Sequence, residues 1–373
     1  MDPRFTDRLR PVPFKKLLAL DGGGIRGFLT LEVLARLENI LRETKAGGSP
    51  DFRLSDYFDY IAGTSVGAIT ATFLSLGMKV DEIREAYQTI GTQMFSPAGY
   101  LERFRYKYDA NKITAQLKQF LGPATTLGTD KLRTLLMMVM RNATTDSPWP
   151  ISNNPLAKFN DRRLAGCNLD IPLWQLVRAS AAAPTYFAPE KVRVGDQEFL
   201  FVDGGVTTYN NPAFQMFLMA TLKPYGLQWP AGEDKMLLVS IGTGSTPGAK
   251  SSLTADDMNL LYNAQCVPTA LMFAASNEQD VLCRVFGRCH VEPPLDSELG
   301  DLIGDAGPGG GKLFSYLRLN AELSDAGLRE LGLSGIRTED VQRMDSLEHI
   351  AELQEIGRAI AERGLAATMF ENF

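Results

Sequence analysis

One serine in this sequence is flanked by glycines at the spacing that nucleophilic chemistry requires. Ser65 lies in Gly63-Thr64-Ser65-Val66-Gly67, between an apolar run that predicts a strand and a second run that predicts a helix. In such a G-x-S-x-G nucleophile elbow, Gly63 and Gly67 permit a sharp turn that exposes the hydroxyl at a helix N-terminus. The helix dipole there favours developing negative charge. We therefore interpret Ser65 as a candidate nucleophile.

A serine hydroxyl needs a base to accept its proton, and two bases are candidates. Asp203 ends the apolar run FLFVD and precedes Gly204 and Gly205, which let another backbone or a substrate approach closely. Burial at a strand end would raise its proton affinity enough for base chemistry. The sequence has only two histidines, but the order Ser65, Asp203, His290 matches that of an α/β-hydrolase triad. The triad is therefore the alternative to a base formed by the aspartate.

The turn in LLALDGGGIRGF has two chemical interpretations. Gly22, Gly24 and Gly27 fit the dinucleotide-binding spacing G-x-G-x-x-G, but the expected second strand with its acidic end is replaced by the helical pattern RLENILRETK. Backbone N–H groups at such a turn also stabilise a tetrahedral oxyanion. We therefore assign Gly22, Gly23 and Gly24 as candidate oxyanion donors, with Arg26 bracing the turn or adding positive potential.

Strands that alternate with helices must position these residues. One strand is predicted at residues 17–21, a second ends near Ala62, and two more lie in RTLLMMVMRN and DKMLLVSIGTG. Helices are predicted near 29–43 and from Val66 to Leu76. This alternation predicts an α/β protein with a mainly parallel central sheet covered on both faces.

Composition limits the class of protein and its partners. The chain has 373 residues, a formal net charge of -6 and a pI near 5.2, which argue against a nucleic-acid polymer as partner. No apolar run approaches the roughly 18 to 20 residues of a membrane span, and LLAL is too short for a signal peptide. Four cysteines without a disulfide framework favour a cytoplasmic protein that is at most peripheral to a membrane. We expect no cofactor and no metal ion.

We divide the chain into an N-terminal extension at 1–14, a catalytic core at 15–250 and a mostly helical region at 251–373 packed on that core. In this last region one face of a predicted helix is apolar: Leu347, Ile350, Leu353, Ile356 and Ile360. Packing against the core is one interpretation of this face, and a homo-oligomer or partner surface is the other. Since it departs from the strand-helix rhythm, the region 251–373 is also where we would look for regulation.

Four segments in order carry a family resemblance: DGGGIRG, GTSVG, RASAAAPTYFAPE and VDGG. They resemble the patatin-like phospholipases, and the resemblance runs from about residue 15 to at least residue 245. It implies a three-layer α/β/α fold and a Ser-Asp dyad without a catalytic histidine. It thereby implies Ser65 as nucleophile, Asp203 as base, and Gly22 to Gly24 with Arg26 as the oxyanion loop.

The resemblance also implies an activity and its setting. The family suggests a serine acyl hydrolase of phospholipase A type, acting on membrane phospholipids at the inner membrane surface through an acyl-enzyme. A transacylase or a general esterase is an alternative within enzymes. A further alternative is a lipase that stays silent until a cyclic nucleotide or a partner binds, similar to bacterial patatin-like effectors that degrade membranes during phage infection.

Overall fold

The fold is built on one mixed β-sheet. This computed structural model describes residues 3–94, 106–245, 254, 260–290, 294–296 and 298–373. The proposed division between residues 250 and 251 lies outside these ranges. The strands among the described residues are β1 (Lys15–Leu20), β2 (Tyr60–Thr64), β3 (Leu135–Asn142), β4 (Ser147–Ser152), β5 (Glu190–Val194), β6 (Gln197–Asp203), β7 (Met236–Ile241), β8 (Gly287–Cys289) and β9 (Phe314–Leu319).

Helices connect most of these strands. They are α1 (Pro3–Arg8), α2 (Gly27–Lys45), α3 (Leu54–Tyr57), α4 (Val66–Ser75), α5 (Val80–Met94), α6 (Ala110–Leu121), α7 (Leu173–Ser180), α8 (Ala213–Thr221), α9 (Leu260–Phe286), α10 (Asp325–Glu330), α11 (Thr338–Gln342) and α12 (Ile350–Gly364). The strands and helices predicted around the glycine turn and around Ser65 are confirmed, and each predicted end lies within two residues of the observed one.

The sheet is mainly parallel, as the sequence predicts. Its strand order is β5-β6-β3-β2-β1-β7-β9-β8, and β4 pairs with β3 outside this path. Along this order the neighbouring pairs β3-β2, β2-β1, β1-β7, β7-β9 and β9-β8 are parallel, whereas β4 and β6 run antiparallel to β3, and β5 runs antiparallel to β6. Because parallel strands share a direction, the turns that follow β1, β2 and β7 meet at one edge of the sheet.

Two hydrophobic cores, one on each face of the sheet, make the three-layer architecture. Successive strand residues point to opposite faces, and in β1 the side chains of Leu18 and Leu20 join the core shared with α2, α4 and α12. Leu17 and Ala19 join the other core, which includes residues of α8. The near-continuous burial of β1 is what a parallel strand covered on both faces requires.

The region after residue 250 contributes to this same sheet. It is helical over α9 to α12, but it also supplies β8 and β9, which the sequence analysis did not predict. All six side chains of β9 are buried, and β9 pairs in parallel with β7. Since FSYLRL is short and follows a glycine-rich stretch, its pattern alone does not distinguish a buried strand from a loop.

The last long helix packs on the body of the protein through its apolar face. Leu353, Ile356 and Ile360 of α12 are buried in the core that also holds α2. A side chain at Gly357 would overlap the carbonyl oxygen of Leu29, so this glycine lets the two helices approach closely. Among the described helices, none combines the length and apolar character needed to cross a bilayer.

Candidate active site

Ser65 occupies a strained turn between β2 and α4. Its φ of 55° and ψ of -122° lie where non-glycine residues are uncommon. A Cβ at Gly63 would overlap the Gly67 carbonyl group, and a Cβ at Gly67 would overlap the Leu20 carbonyl oxygen. Both glycines are therefore sterically required by the turn that presents the Ser65 side chain. Because α4 begins at Val66, the positive end of its dipole faces the serine.

Sheet register brings Asp203 to Ser65. In β3, Val139 pairs with Thr64 of β2, and the next residue, Met140, pairs with Asp203 of β6. Ser65 and Asp203 thus flank the same end of β3 from its two sides. Their side chains converge there, and Ser65 Oγ donates a hydrogen bond to Asp203 Oδ2 over 2.6 Å.

The environment of Asp203 favours proton exchange. The residue is 4% exposed, and burial raises the pKa of its carboxyl group from 3.8 to about 6, although the hydrogen bonds from Ser65 and Gly205 and the charge of Arg178 oppose that rise. Its second oxygen accepts the Gly205 N–H over 2.7 Å. In the part of the chain that the structure describes, Asp203 makes no ion pair. Gly204 lies so close to the Val139 carbonyl that a Cβ there would overlap it.

Sequence reasoning missed the residue that orients the Ser65 backbone. Ser180, the last residue of α7, accepts the Ser65 N–H at its Oγ over 2.9 Å and donates to the Val139 carbonyl over 2.6 Å. Its side chain is completely buried. Ser180 falls inside the RASAAAPTYF segment, so that motif marks its position in the sequence, but nothing in the spacing indicates which small residue makes the contact.

The glycine turn after β1 lies against the nucleophile. A Cβ placed on Gly22 would lie 3.2 Å from Ser65 Cβ. The Gly22 N–H already donates to the Asn210 carbonyl over 3.2 Å. The N–H groups of Gly23 and Gly24 have no partner among the described residues, so these two are the amides free to receive an oxyanion. Of the three predicted donors, Gly22 thus already has an acceptor for its N–H group within the described chain.

Residues from distant segments hold this turn in place. Thr243 Oγ1 donates to the Gly22 carbonyl over 2.8 Å. Met344 accepts the Ile25 N–H over 2.9 Å, and its carbonyl oxygen would be overlapped by a Cβ at Gly24, where φ is +60°. The turn is thus fixed by residues after β7 and just before α12, contacts that no local pattern in the sequence predicts.

Arg26 braces the turn from within. Its Nε lies 3.4 Å from the Gly23 carbonyl oxygen, to which it donates, and the residue is 7% exposed. Burial lowers the pKa of its guanidinium to about 10. Its Nη1 is buried without a hydrogen-bond partner among the described residues. Arg26 is therefore placed to fix the turn and to keep positive charge close to it.

The structure does not bring His290 to this site. His290 follows β8, which is separated from β2 by β1, β7 and β9. At a strand spacing of about 4.8 Å, four steps of the sheet place it roughly 19 Å from the strand that carries Ser65. Its ring Nε2 lies 3.0 Å from Ser315 Oγ, and burial lowers its pKa. The geometry gives no support to a triad through His290.

Metal-ligating side chains do not gather in the described part of the chain. No group of three His, Cys, Asp or Glu residues there is arranged to hold a metal ion. The site described above consists of a hydroxyl, a carboxylate and backbone amides, a donor set suited to nucleophilic acyl transfer.

Comparison with known proteins gives the family. The patatin-like phospholipase family model matches residues 18–217. Patatin-17 of Solanum cardiophyllum is 32% identical over 65% of this chain and 63% of its own length. The cGAMP-activated phospholipase of Vibrio cholerae is 30% identical over 65% of this chain and 67% of its own length.

A more distant similarity to a solved structure carries no weight in assigning the family. The crystal structure of VipD from Legionella pneumophila aligns with 94% of this chain and 66% of VipD, but its TM-score of 0.42 and identity of 14% are too low to build on. The match to Patatin-17 itself spans under two thirds of that relative. The family model, by contrast, covers more than half of the chain and includes the glycine turn, Ser65 and Asp203. The chain therefore belongs to the patatin-like phospholipase family.

Proposed function

We propose that Ser65 and Asp203 form the catalytic dyad of a serine acyl hydrolase that cleaves fatty-acyl esters of membrane phospholipids. The observation that carries this proposal is the 2.6 Å hydrogen bond from Ser65 Oγ to Asp203 Oδ2 at a strained nucleophile elbow. Family membership supports the lipid ester as substrate, since the matching model is that of the patatin-like phospholipases. No histidine takes part in this mechanism.

In the first half-reaction, Ser65 Oγ attacks the ester carbonyl carbon while its proton moves to Asp203. The carbonyl oxygen becomes an oxyanion that the Gly23 and Gly24 amides stabilise by hydrogen bonds. The tetrahedral intermediate then collapses as the ester C–O bond breaks. Asp203 returns the proton to the leaving oxygen, which departs as a lysolipid or an alcohol, and the acyl group stays on Ser65.

In the second half-reaction, water replaces the leaving group. Asp203 accepts a proton from the water, whose oxygen attacks the acyl carbonyl carbon, and the oxyanion forms again at the glycine turn. Collapse of this intermediate breaks the bond to Ser65 Oγ, and the proton on Asp203 returns to the serine. The products are a free fatty acid and the regenerated dyad. The raised pKa of Asp203 suits this repeated exchange, because the carboxyl group must both take up and release a proton.

We place this reaction at a bilayer surface, since phospholipid acyl esters are presented there, and in the cytoplasm at the inner membrane. A second candidate keeps the same chemistry but requires an activator. It is favoured by the relative named cGAMP-activated phospholipase, which is 30% identical. In that case a cyclic nucleotide or a partner would raise a low basal rate of hydrolysis.

The test is release of fatty acid from phospholipid vesicles by wild type, Ser65→Ala and Asp203→Asn, each with and without cGAMP. We expect fatty acid from the wild type alone, in at least one of the two conditions. If hydrolysis proceeds at full rate without additions and cGAMP does not change it, the regulated candidate fails. If Ser65→Ala hydrolyses phospholipid as fast as the wild type, the dyad proposal fails.

A further inference from the structure

A cavity of about 960 Å³ lies beside the glycine turn, and its lining includes neither Ser65 nor Asp203. It lies beyond the carboxyl ends of three neighbouring strands. Asp21 and Gly22 follow β1, Thr243 follows β7 and Asn320 follows β9. A volume of this size is at the upper end of the range found for small-molecule sites.

The position in the sheet is the one that α/β proteins use for ligands. From β1 the strand order proceeds through β2 and β3 on one side and through β7 and β9 on the other. The sheet therefore reverses its direction of growth between β1 and β7. A crevice forms outside the carboxyl ends of strands at such a switch point, and ligands bind in it. The dyad lies on the β2 side of β1, whereas this cavity lies on the β7 and β9 side.

One buried cation that lines the cavity, Arg26, forms no ion pair among the described residues, although the charge of Asp21 attracts it. Arg318 pairs with Asp21 over 2.5 Å, and Arg284 pairs with Asp280 over 2.8 Å. Arg26 is as buried as these groups but forms no ion pair among the described residues, and its Nη1 has no hydrogen-bond partner there. An unpaired buried cation is costly, and an anionic ligand would remove that cost. The other charged lining residues that form no ion pair among the described residues, such as Arg363 and Glu330, are exposed.

The rest of the lining fits a ligand with flat or apolar parts and several hydrogen-bonding groups. Tyr186 and Phe273 add aromatic rings to the lining, and nucleobases stack readily on aromatic rings. Ser276 and Asn277 of α9 add polar side chains along one wall. Guanidinium groups are well suited to phosphate oxygens.

From these observations we infer that the cavity at the β1/β7 switch point is a second ligand site, which binds a phosphodiester group at Arg26. Two sources share this chemistry: a cyclic nucleotide and the headgroup of a phospholipid. Because Arg26 Nε donates to the Gly23 carbonyl, a ligand held there would contact the residue that braces the proposed oxyanion loop. The inference rests on the proposed function only in the choice of these two sources.

The experiment measures equilibrium binding to the full chain carrying Ser65→Ala, so that no lipid is consumed. The probes are cGAMP and glycerophosphoethanolamine, titrated separately by calorimetry. Asn277→Trp, added to this background, fills the cavity from α9. Its matched control is Ala274→Trp, because Ala274 is exposed on the same helix and does not line the cavity. Arg26→Gln removes the charge that would bind the phosphodiester.

We expect one probe to bind, with affinity at least tenfold weaker in Asn277→Trp and in Arg26→Gln and within twofold of the parent in Ala274→Trp. Binding of cGAMP identifies a nucleotide site, and binding of glycerophosphoethanolamine identifies a headgroup site. Binding of neither probe, or binding that survives Asn277→Trp or Arg26→Gln, overturns the inference. Since binding is read in Ser65→Ala, its failure is distinct from a failure of the dyad, which is read as hydrolysis.

Discussion

Asp203 and Asp21 are both buried carboxylates at the carboxyl ends of strands in one sheet, yet their partners differ. Asp203 accepts from a hydroxyl and a backbone amide and makes no ion pair in the described part of the chain. The two carboxylate oxygens of Asp21 accept hydrogen bonds from Nη1 and Nη2 of Arg318, over 2.9 and 2.5 Å. Although burial opposes it, the Asp21 charge raises the pKa of Arg318. Burial raises the pKa of both carboxyl groups, but at Asp21 the paired Arg318 opposes that rise, whereas Asp203 has no ion-paired cation among the described residues. Burial alone therefore does not make a base.

The largest expected effect is the loss of hydrolytic activity when Asp203, rather than Asp21, is changed. Asp203→Asn keeps the shape of the side chain but cannot accept the Ser65 proton. We expect the rate of fatty-acid release to fall by about 10²–10⁴-fold, the usual contribution of a general base, in a protein that still unfolds cooperatively in urea. Unchanged hydrolysis by Asp203→Asn would remove the contrast between the two aspartates.

Asp21→Asn should show its main effect in stability. The substitution leaves the charge of Arg318 buried without its carboxylate, which typically costs about 3–5 kcal/mol of unfolding free energy. Urea unfolding of Asp21→Asn, Arg318→Gln and the double variant measures this cost. We expect the double variant to lose less than the sum of the two single losses. Additive losses would mean that the pair contributes no coupling.

The pH dependence separates the two carboxylates further. Since burial raises the pKa of Asp203 to about 6 and only the ionised form is a base, kcat/KM should rise about tenfold per unit below pH 6 and level off above it. A raised carboxyl pKa also means that the folded state holds more protons than the unfolded state between pH 3.8 and about 6. That contribution to stability is present at low pH and is lost as the pH rises through about 6.

Both profiles have a matched control in Asp203→Asn. The variant should lose the rise in residual activity near pH 6 and the corresponding fall in stability. A wild-type rate that is flat from pH 4 to 8 would contradict the assignment of Asp203 as the titrating base.

Ser180→Ala should lower both activity and stability, but by less than the substitutions of Asp203 and Asp21 do. It leaves the Ser65 N–H without its acceptor in a buried setting, at a typical cost of about 1–3 kcal/mol. We expect lower stability by urea unfolding together with a reduced kcat and a nearly unchanged KM, because the elbow shifts while the substrate surface remains. A change in KM alone would argue against a positioning role.

The smallest effect should come from His290→Ala. Its ring contacts Ser315 at the far side of the sheet, so hydrolysis should stay within about twofold of the wild type, the range expected of a surface change below about 0.5 kcal/mol. Loss of activity in a folded His290→Ala protein would instead support a triad and end the assignment of Asp203 as sole base.

Much of the candidate site was predictable, because its signals are local. The elbow around Ser65 and the Asp203 strand end each combine an apolar run with glycines, so their types and spacing mark them in the sequence. Ser180, Asn210 and Met344 were not predictable in their roles, because each contact joins segments far apart in the chain. The same holds for β9 and Arg318, since only sheet pairing with β7 reveals the strand.

The most direct test of the dyad is the rate at which a fluorophosphonate modifies the protein, followed by mass spectrometry from pH 4 to 8 in wild type and Asp203→Asn. We predict a single adduct on Ser65, formed at a rate that rises through about pH 6 in the wild type and falls at least about 100-fold in the variant at neutral pH. An adduct on a different residue, or equal rates in the two proteins, would contradict the account.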